Sequence, residues 1–388
     1  MDYDSKLARH LQEIPRSGIR DFFELVIGRD DVISLGVGEP DFTTPWRIRE
    51  AAISSLEKGE TSYTSNLGLS TLRDKVCDYV EDFFEVSYQG DTECLITVGV
   101  SEALDLALRA LVNPGEEVIF HEPCYVSYSP SVAMAHGVPV SVHTKKEDGF
   151  SLKPETLAKA ITPKSKVLML NFPTNPTGAV LSEEDLKGIA KLCVEHDLIV
   201  ITDEIYCELR YDGKKHTSIA SLPGMRERTI LLHGFSKAFA MTGFRLGFAC
   251  APQPLIEAMM KIHQYGILCA PITSQVAALE ALEAGEPVYR EMKNAYKERR
   301  DFLVRRLNEM GIDCHSPGGA FYVFPDISKF GLSSFDFAMK FLEAEQVAAV
   351  PGTAFGESGE GFLRCCYATS MDKLKVAMDS LERFIKTL

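Results

Sequence analysis

A chain of 388 residues with 45% hydrophobic side chains is long enough to bury a full core and to divide into two domains. Its 55 acidic against 41 basic side chains leave a formal charge of −14, which makes nucleic acid and anionic membrane poor partners. Ten cysteines without a C-x-x-C pair and nine histidines without H-E-x-x-H point to buried thiols in a reducing compartment, with no metal expected, although ligands distant in sequence stay open.

The first six residues carry acids and lack the apolar core of a signal peptide, and no stretch approaches 18 apolar residues, so the expected location is cytoplasmic. Apolar runs of strand length then alternate with segments of helical period, the pattern of an α/β fold with parallel strands. Residues 94–98 read as a strand and 101–112 as the helix after it, and a second strand begins at 117–120. Residues 166–170 form a buried strand that runs into the Pro/Gly-rich loop 171–178. Ser182 then caps a helix whose first turn carries Glu183, Glu184 and Asp185. The strand 198–201 delivers Thr202, Asp203 and Glu204, and the strand 229–232 releases Gly234, Phe235, Ser236 and Lys237.

Because these strands are parallel, Asn175, Asp203 and Lys237 emerge at one edge of the sheet, where open α/β sheets bind ligands. From about Pro287 the pattern changes to a long charged helix and short strands at 321–324 and 362–367. The expected division is an N-terminal arm with part of a small domain (1–45), a large cofactor-binding domain (46–286) and a C-terminal small domain (287–388).

Ser236 and Arg245 flank Lys237 with a hydroxyl and a guanidinium, while Gly99, Val100 and Ser101 offer N–H groups at a helix start, so an anion site lies beside an amine. A lysine attacks an aldehyde only where neighbouring cations or burial depress its basicity. A pyridoxal-type cofactor also needs a carboxylate on its ring nitrogen, and Asp203 is placed for it; Asn175 and Tyr206 are placed for the ring oxygen. Taken alone, a lysine is a surface charge, an acid at a strand end pairs with arginine or caps a loop, and Asn-Pro-Thr-Gly is a turn.

Seven stretches occur in order: ISLGVGEPDF at 33–42, YTSNLGLSTLR at 63–73, NPTG at 175–178, TDEIY at 202–206, GFSKAFAMTGFRLG at 234–247, GAFY at 319–322 and VPGTAFG at 350–356. Through them, over nearly its whole length, the chain resembles the fold-type I, class I aminotransferases, and archaeal aromatic-amino-acid aminotransferases in particular. The resemblance implies a mostly parallel, seven-stranded-type sheet sandwiched by helices, a smaller α+β domain, and pyridoxal 5'-phosphate held by Lys237 as a Schiff base. It implies that Lys237 moves the substrate proton, that Asp203 pairs with the ring nitrogen, and that Tyr125 stacks on the ring. Gly99, Val100, Ser101, Ser236 and Arg245 then bind the phosphate, while Gly38, Asn175 and Arg364 receive the substrate carboxylate. Tyr63 reaches the phosphate from the neighbouring subunit, which implies a homodimer with shared sites.

The implied reaction moves the amino group of an L-amino acid, aromatic or broad in range, to a 2-oxo acid such as 2-oxoglutarate. Aspartate transamination and C–S bond lysis on the same scaffold are the alternatives. The loop at 99–101 lacks the lysine that some prokaryotic aspartate enzymes carry there, which counts against aspartate. Two departures from the family pattern, Cys365-Cys366 after Arg364 and Phe244 where Trp is common, bear on pocket packing and leave every catalytic group in place.

Overall fold

The computed structural model describes residues 31–388 continuously, together with residues 3, 6–12, 14 and 29. Of the expected N-terminal segment 1–45, residues 1, 2, 4, 5, 13, 15–28 and 30 therefore lie outside the described residues. The first elements are α1 (Arg9–Gln12), β1 (Ile33–Ser34), α2 (Trp46–Glu57) and α3 (Ser70–Phe84). An alternating series follows: β2 (Cys94–Thr97), α4 (Gly99–Leu111), β3 (Glu117–Glu122), α5 (Tyr128–Met134), β4 (Val138–His143), α6 (Pro154–Ala160), β5 (Ser165–Leu170), α7 (Glu183–Glu195), β6 (Ile199–Asp203), β7 (Thr229–Gly234) and β8 (Gly247–Cys250). These seven strands form one sheet in the order β2-β8-β7-β6-β5-β3-β4. All its pairings are parallel except the two that β8 makes, so the mostly parallel sheet expected from the sequence is present.

Near-continuous apolar strands are what a sheet covered on both faces requires. Val167 and Met169 of β5 pack with Leu104, Ala107 and Leu108 of α4 on one face. Leu168 and Leu170 pack with Leu186, Ile189 and Cys193 of α7 on the other. Each such fully buried aliphatic side chain contributes roughly 1.5–3 kcal/mol. At the start of α7 the Ser182 side chain accepts from the Asp185 N–H at 3.0 Å, the expected N-cap.

After β8 come α8 (Gln253–Gly266), α9 (Ile272–Ala284), the 24-residue α10 (Glu286–Glu309), β9 (Tyr322–Val323), α11 (Ser334–Glu345), β10 (Val347–Ala348), β11 (Val350–Pro351), β12 (Leu363–Cys366) and α12 (Met371–Ile385). A three-stranded sheet, β11-β12-β9, is antiparallel, and β1 pairs in parallel with β10, tying residues 33–34 to 347–348. All ten cysteines are free and nine are buried. Among the described residues no helix is long and apolar enough to cross a membrane.

Candidate active site

A cleft of about 760 Å³ opens where β5, β6 and β7 end, and β12 closes it from the opposite side with Arg364. Gly38, Val100, Ser101, Tyr125, Asn175, Asp203, Tyr206, Ser236, Lys237, Arg245 and Arg364, all singled out from the sequence, line it together. Two candidates do not line it. Gly99 lies beneath the Arg245 guanidinium, and Tyr63 is 83% exposed.

Lys237 leaves the end of β7 half-buried, and its Nζ donates to the Gly38 carbonyl at 2.7 Å. Burial lowers its basicity from 10.5 to about 8; the nearby Arg364 and Arg245 push the same way, against Cys366 and Glu39. A larger share of this amine is therefore neutral, and nucleophilic, near pH 7 to 8 than of an ordinary lysine.

Asp203 ends β6 with its carboxylate buried. Its Oδ2 accepts the Tyr128 hydroxyl at 2.9 Å and its Oδ1 the Ile205 N–H at 3.2 Å, while Asn171 Nδ2 donates to its carbonyl at 2.8 Å. Burial raises this carboxyl from 3.8 to about 6, and the two donors hold it from rising further.

Arg364 is 3% exposed. Its Nη1 donates to Asn175 Oδ1 at 3.0 Å, its Nη2 donates to the Gly36 carbonyl, and its Nε is buried without a partner. The guanidinium lies 4.6 Å from the Tyr322 ring centre and 4.7 Å from that of Phe355. A buried cation with a spare donor and aromatic walls suits a small carboxylate. The Tyr206 and Tyr322 hydroxyls meet at 3.0 Å beside it.

At the opposite end, Arg245 adopts a left-handed backbone (φ 50°) that lays its guanidinium over the first turn of α4. Gly99 has a left-handed backbone, φ +74°, that favours glycine, and a Cβ there would stand 2.7 Å from Arg245 Nη2. Gly247 allows β8 equally close: its Cβ would stand 2.7 Å from the Val100 nitrogen. Among the described residues no hydrogen bond outside the helix engages the N–H groups of Gly99, Val100 and Ser101, and Val100 and Ser101 line the cleft together with Arg245.

Sequence reasoning missed Tyr128, Asn171 and Tyr322 as site residues. Tyr322 falls inside the GAFY stretch, which was the only signal for it. Asn171 opens the Pro/Gly-rich loop, while nothing in the sequence around Tyr128 marks it as a partner of Asp203.

With this geometry in hand, the comparisons are specific. Residues 30–381 match the family described as aminotransferase class I and II. The chain is 53% identical over 381 residues to a putative aminotransferase, YugH, of Bacillus subtilis, covering 98% of both chains. It is 45% identical to an aspartate aminotransferase of Pyrococcus abyssi, again over 98% of both. A crystal structure of an aromatic aminotransferase from Pyrococcus horikoshii superposes with a TM-score of 0.91 at 46% identity, over 95% of this chain and 99% of that one. An arginine and a lysine of lowered basicity share the cleft, and the chain belongs to the class I and II aminotransferases.

Proposed function

We propose that the enzyme uses pyridoxal 5'-phosphate to move the amino group of an aromatic or broad range of L-amino acids to a 2-oxo acid such as 2-oxoglutarate. The observation that carries this reading is the half-buried Lys237 amine, lowered to about 8, in one cleft with a buried carboxylate and two guanidinium groups.

The residues present fit the cofactor. The free amides of α4, Ser101, Ser236 and Arg245 suit its phosphate, and Tyr125 its ring face. The Asp203 carboxylate suits a ring N–H. When bound, pyridoxal phosphate supplies an aldehyde and a protonated ring that takes up the electrons left on the substrate α-carbon. Asp203 holds the proton on the ring nitrogen. Arg364 binds the substrate carboxylate and, through Asn175, fixes it relative to the cleft floor. Lys237, once freed, takes the α-proton and returns it on the other side of the exchange. The walls formed by Tyr206, Tyr322 and Tyr125 exclude water from that transfer.

The aromatic preference draws on the cleft's tyrosines and on the aromatic aminotransferase from Pyrococcus horikoshii. Aspartate is the second reading, favoured by the Pyrococcus abyssi relative. The homodimer reading is supported by Tyr63, a large side chain left exposed and outside its own cleft. A two-domain division near residue 286 is supported by the start of α10 there and by the β1–β10 pairing.

The test is to purify the protein, look for the yellow of the bound cofactor, and assay tyrosine, phenylalanine and aspartate with 2-oxoglutarate. Faster transfer from aspartate than from either aromatic donor overturns the substrate reading. A colourless protein that cannot be reconstituted overturns the cofactor reading.

A further inference from the structure

The anion-binding turn of α4 contains an acid that the reaction does not use. Glu102 sits one residue beyond Ser101, and its Oε2 accepts the N–H of Val98, the residue that precedes the helix. Its Oε1 is held at 2.7 Å by Nδ1 of His263 on α8, a fully buried histidine whose Nε2 has no partner. A helix start leaves four N–H groups without acceptors. Glu102 takes the one at Val98, a residue outside the cleft lining, and leaves those of Gly99, Val100 and Ser101 open.

We propose that Glu102, clamped by His263, is a positioning residue that fixes the first turn of α4 so that its free amides, those of Val100 and Ser101 foremost, meet the cofactor phosphate; this rests on the cofactor reading above. A carboxylate in that turn repels a phosphate although it suits the positive end of the helix, and both oxygens of Glu102, whose side chain is 11% exposed, are engaged by the protein. The side chain meets that role by reaching back to the N-cap amide, as a capping-box acid does. His263 restricts the carboxylate to that orientation through its bond to Oε1.

The experiment compares apoprotein binding of pyridoxal phosphate, pyridoxal and inorganic phosphate in the wild type, Glu102→Ala, Glu102→Gln and His263→Gln. Glu102→Ala frees the turn and should weaken both phosphate ligands about tenfold while leaving pyridoxal unchanged. Glu102→Gln keeps an oxygen for the Val98 N–H and removes the repelling charge, so it should bind phosphate as tightly as the wild type or more tightly. His263→Gln should weaken phosphate binding a few-fold. Equal loss for pyridoxal and the phosphate ligands, or equal loss in the Ala and Gln variants, overturns the proposal. If Glu102→Ala does not fold, unchanged phosphate affinity in His263→Gln overturns the clamp. If the wild type binds inorganic phosphate but not pyridoxal phosphate, the cofactor reading fails, and the inorganic phosphate series still decides the role of Glu102.

Discussion

The Tyr128 hydroxyl donates to Oδ2 of Asp203 at 2.9 Å from a side chain that is 1% exposed. α5 holds this phenol against the end of β6, so the donor is fixed before any ligand arrives. Burial raises the Asp203 carboxyl, and Tyr128 is the foremost group lowering it again. Tyr128→Phe should therefore move the acid limb of the pH profile of kcat/KM upward and reduce kcat at pH 7 roughly tenfold. A profile with an unmoved acid limb would reduce Tyr128 to packing.

Asp203 itself trades stability for function. A carboxyl at about 6 in the folded protein, against 3.8 unfolded, binds its proton more tightly when folded. The stability this provides is fully present below about 3.8 and is lost as pH rises through about 6. Asp203→Asn should remove that loss. Its apoprotein should gain thermal stability over the wild type as pH rises from about 4 to 6, keep the gain at pH 7, and have little activity. An unchanged difference in Tm across that window would show that the carboxylate is not strained by burial.

Lys237 has the opposite logic. Its amine, lowered to about 8, is increasingly neutral above that pH, so the rate at which apoprotein takes up pyridoxal phosphate should rise with pH and level off beyond about 8. Lys237→Ala should still bind the cofactor noncovalently and lose turnover by about three orders of magnitude or more. Full activity in that variant would remove the lysine from the mechanism.

Arg364 should affect both half-reactions alike, because donor and acceptor each present a carboxylate. Arg364→Lys keeps the charge but cannot form the two-pronged contact or hold Asn175 and Gly36 together. Its kcat/KM should fall about 100-fold or more for amino and oxo acids in parallel. A loss confined to one substrate would place the carboxylate elsewhere.

Much of this site could be read in the sequence because three of its groups sit at the ends of strands whose apolar runs are unmistakable. Asn175, Asp203 and Lys237 follow β5, β6 and β7, and parallel pairing does the rest. Tyr128 could not be read so, since its value depends on α5 facing the end of β6, 75 residues away. The sheet shows the same limit. β8 has four residues, and nothing in Gly247-Phe248-Ala249-Cys250 announces that it runs antiparallel. β4 is an edge strand with Val138 43% exposed, so it lacks the apolar run of its neighbours. The start of α4 lies two residues before the expected one, at Gly99 and Val100, which are poor openers by propensity, and Gly99 enters it with a left-handed backbone.

Tyr63 offers the sharpest test of the shared-site reading. If it completes the phosphate site of a second copy, Tyr63→Ala and Lys237→Ala homodimers are each impaired at both sites. In a mixed dimer, however, one site combines the Lys237 of the first variant with the Tyr63 of the second and is intact. Unfolding the two variants together and refolding them should form mixed dimers in half of the population, each with one good site. Activity should then recover to about a quarter of the wild-type value at equal total protein. Recovery requires that Tyr63 and Lys237 act from different chains, since two variants damaged within a single-chain site would share no intact site in any pairing. A mixture no more active than the average of its components would place Tyr63 outside the partner's site, whatever the oligomeric state.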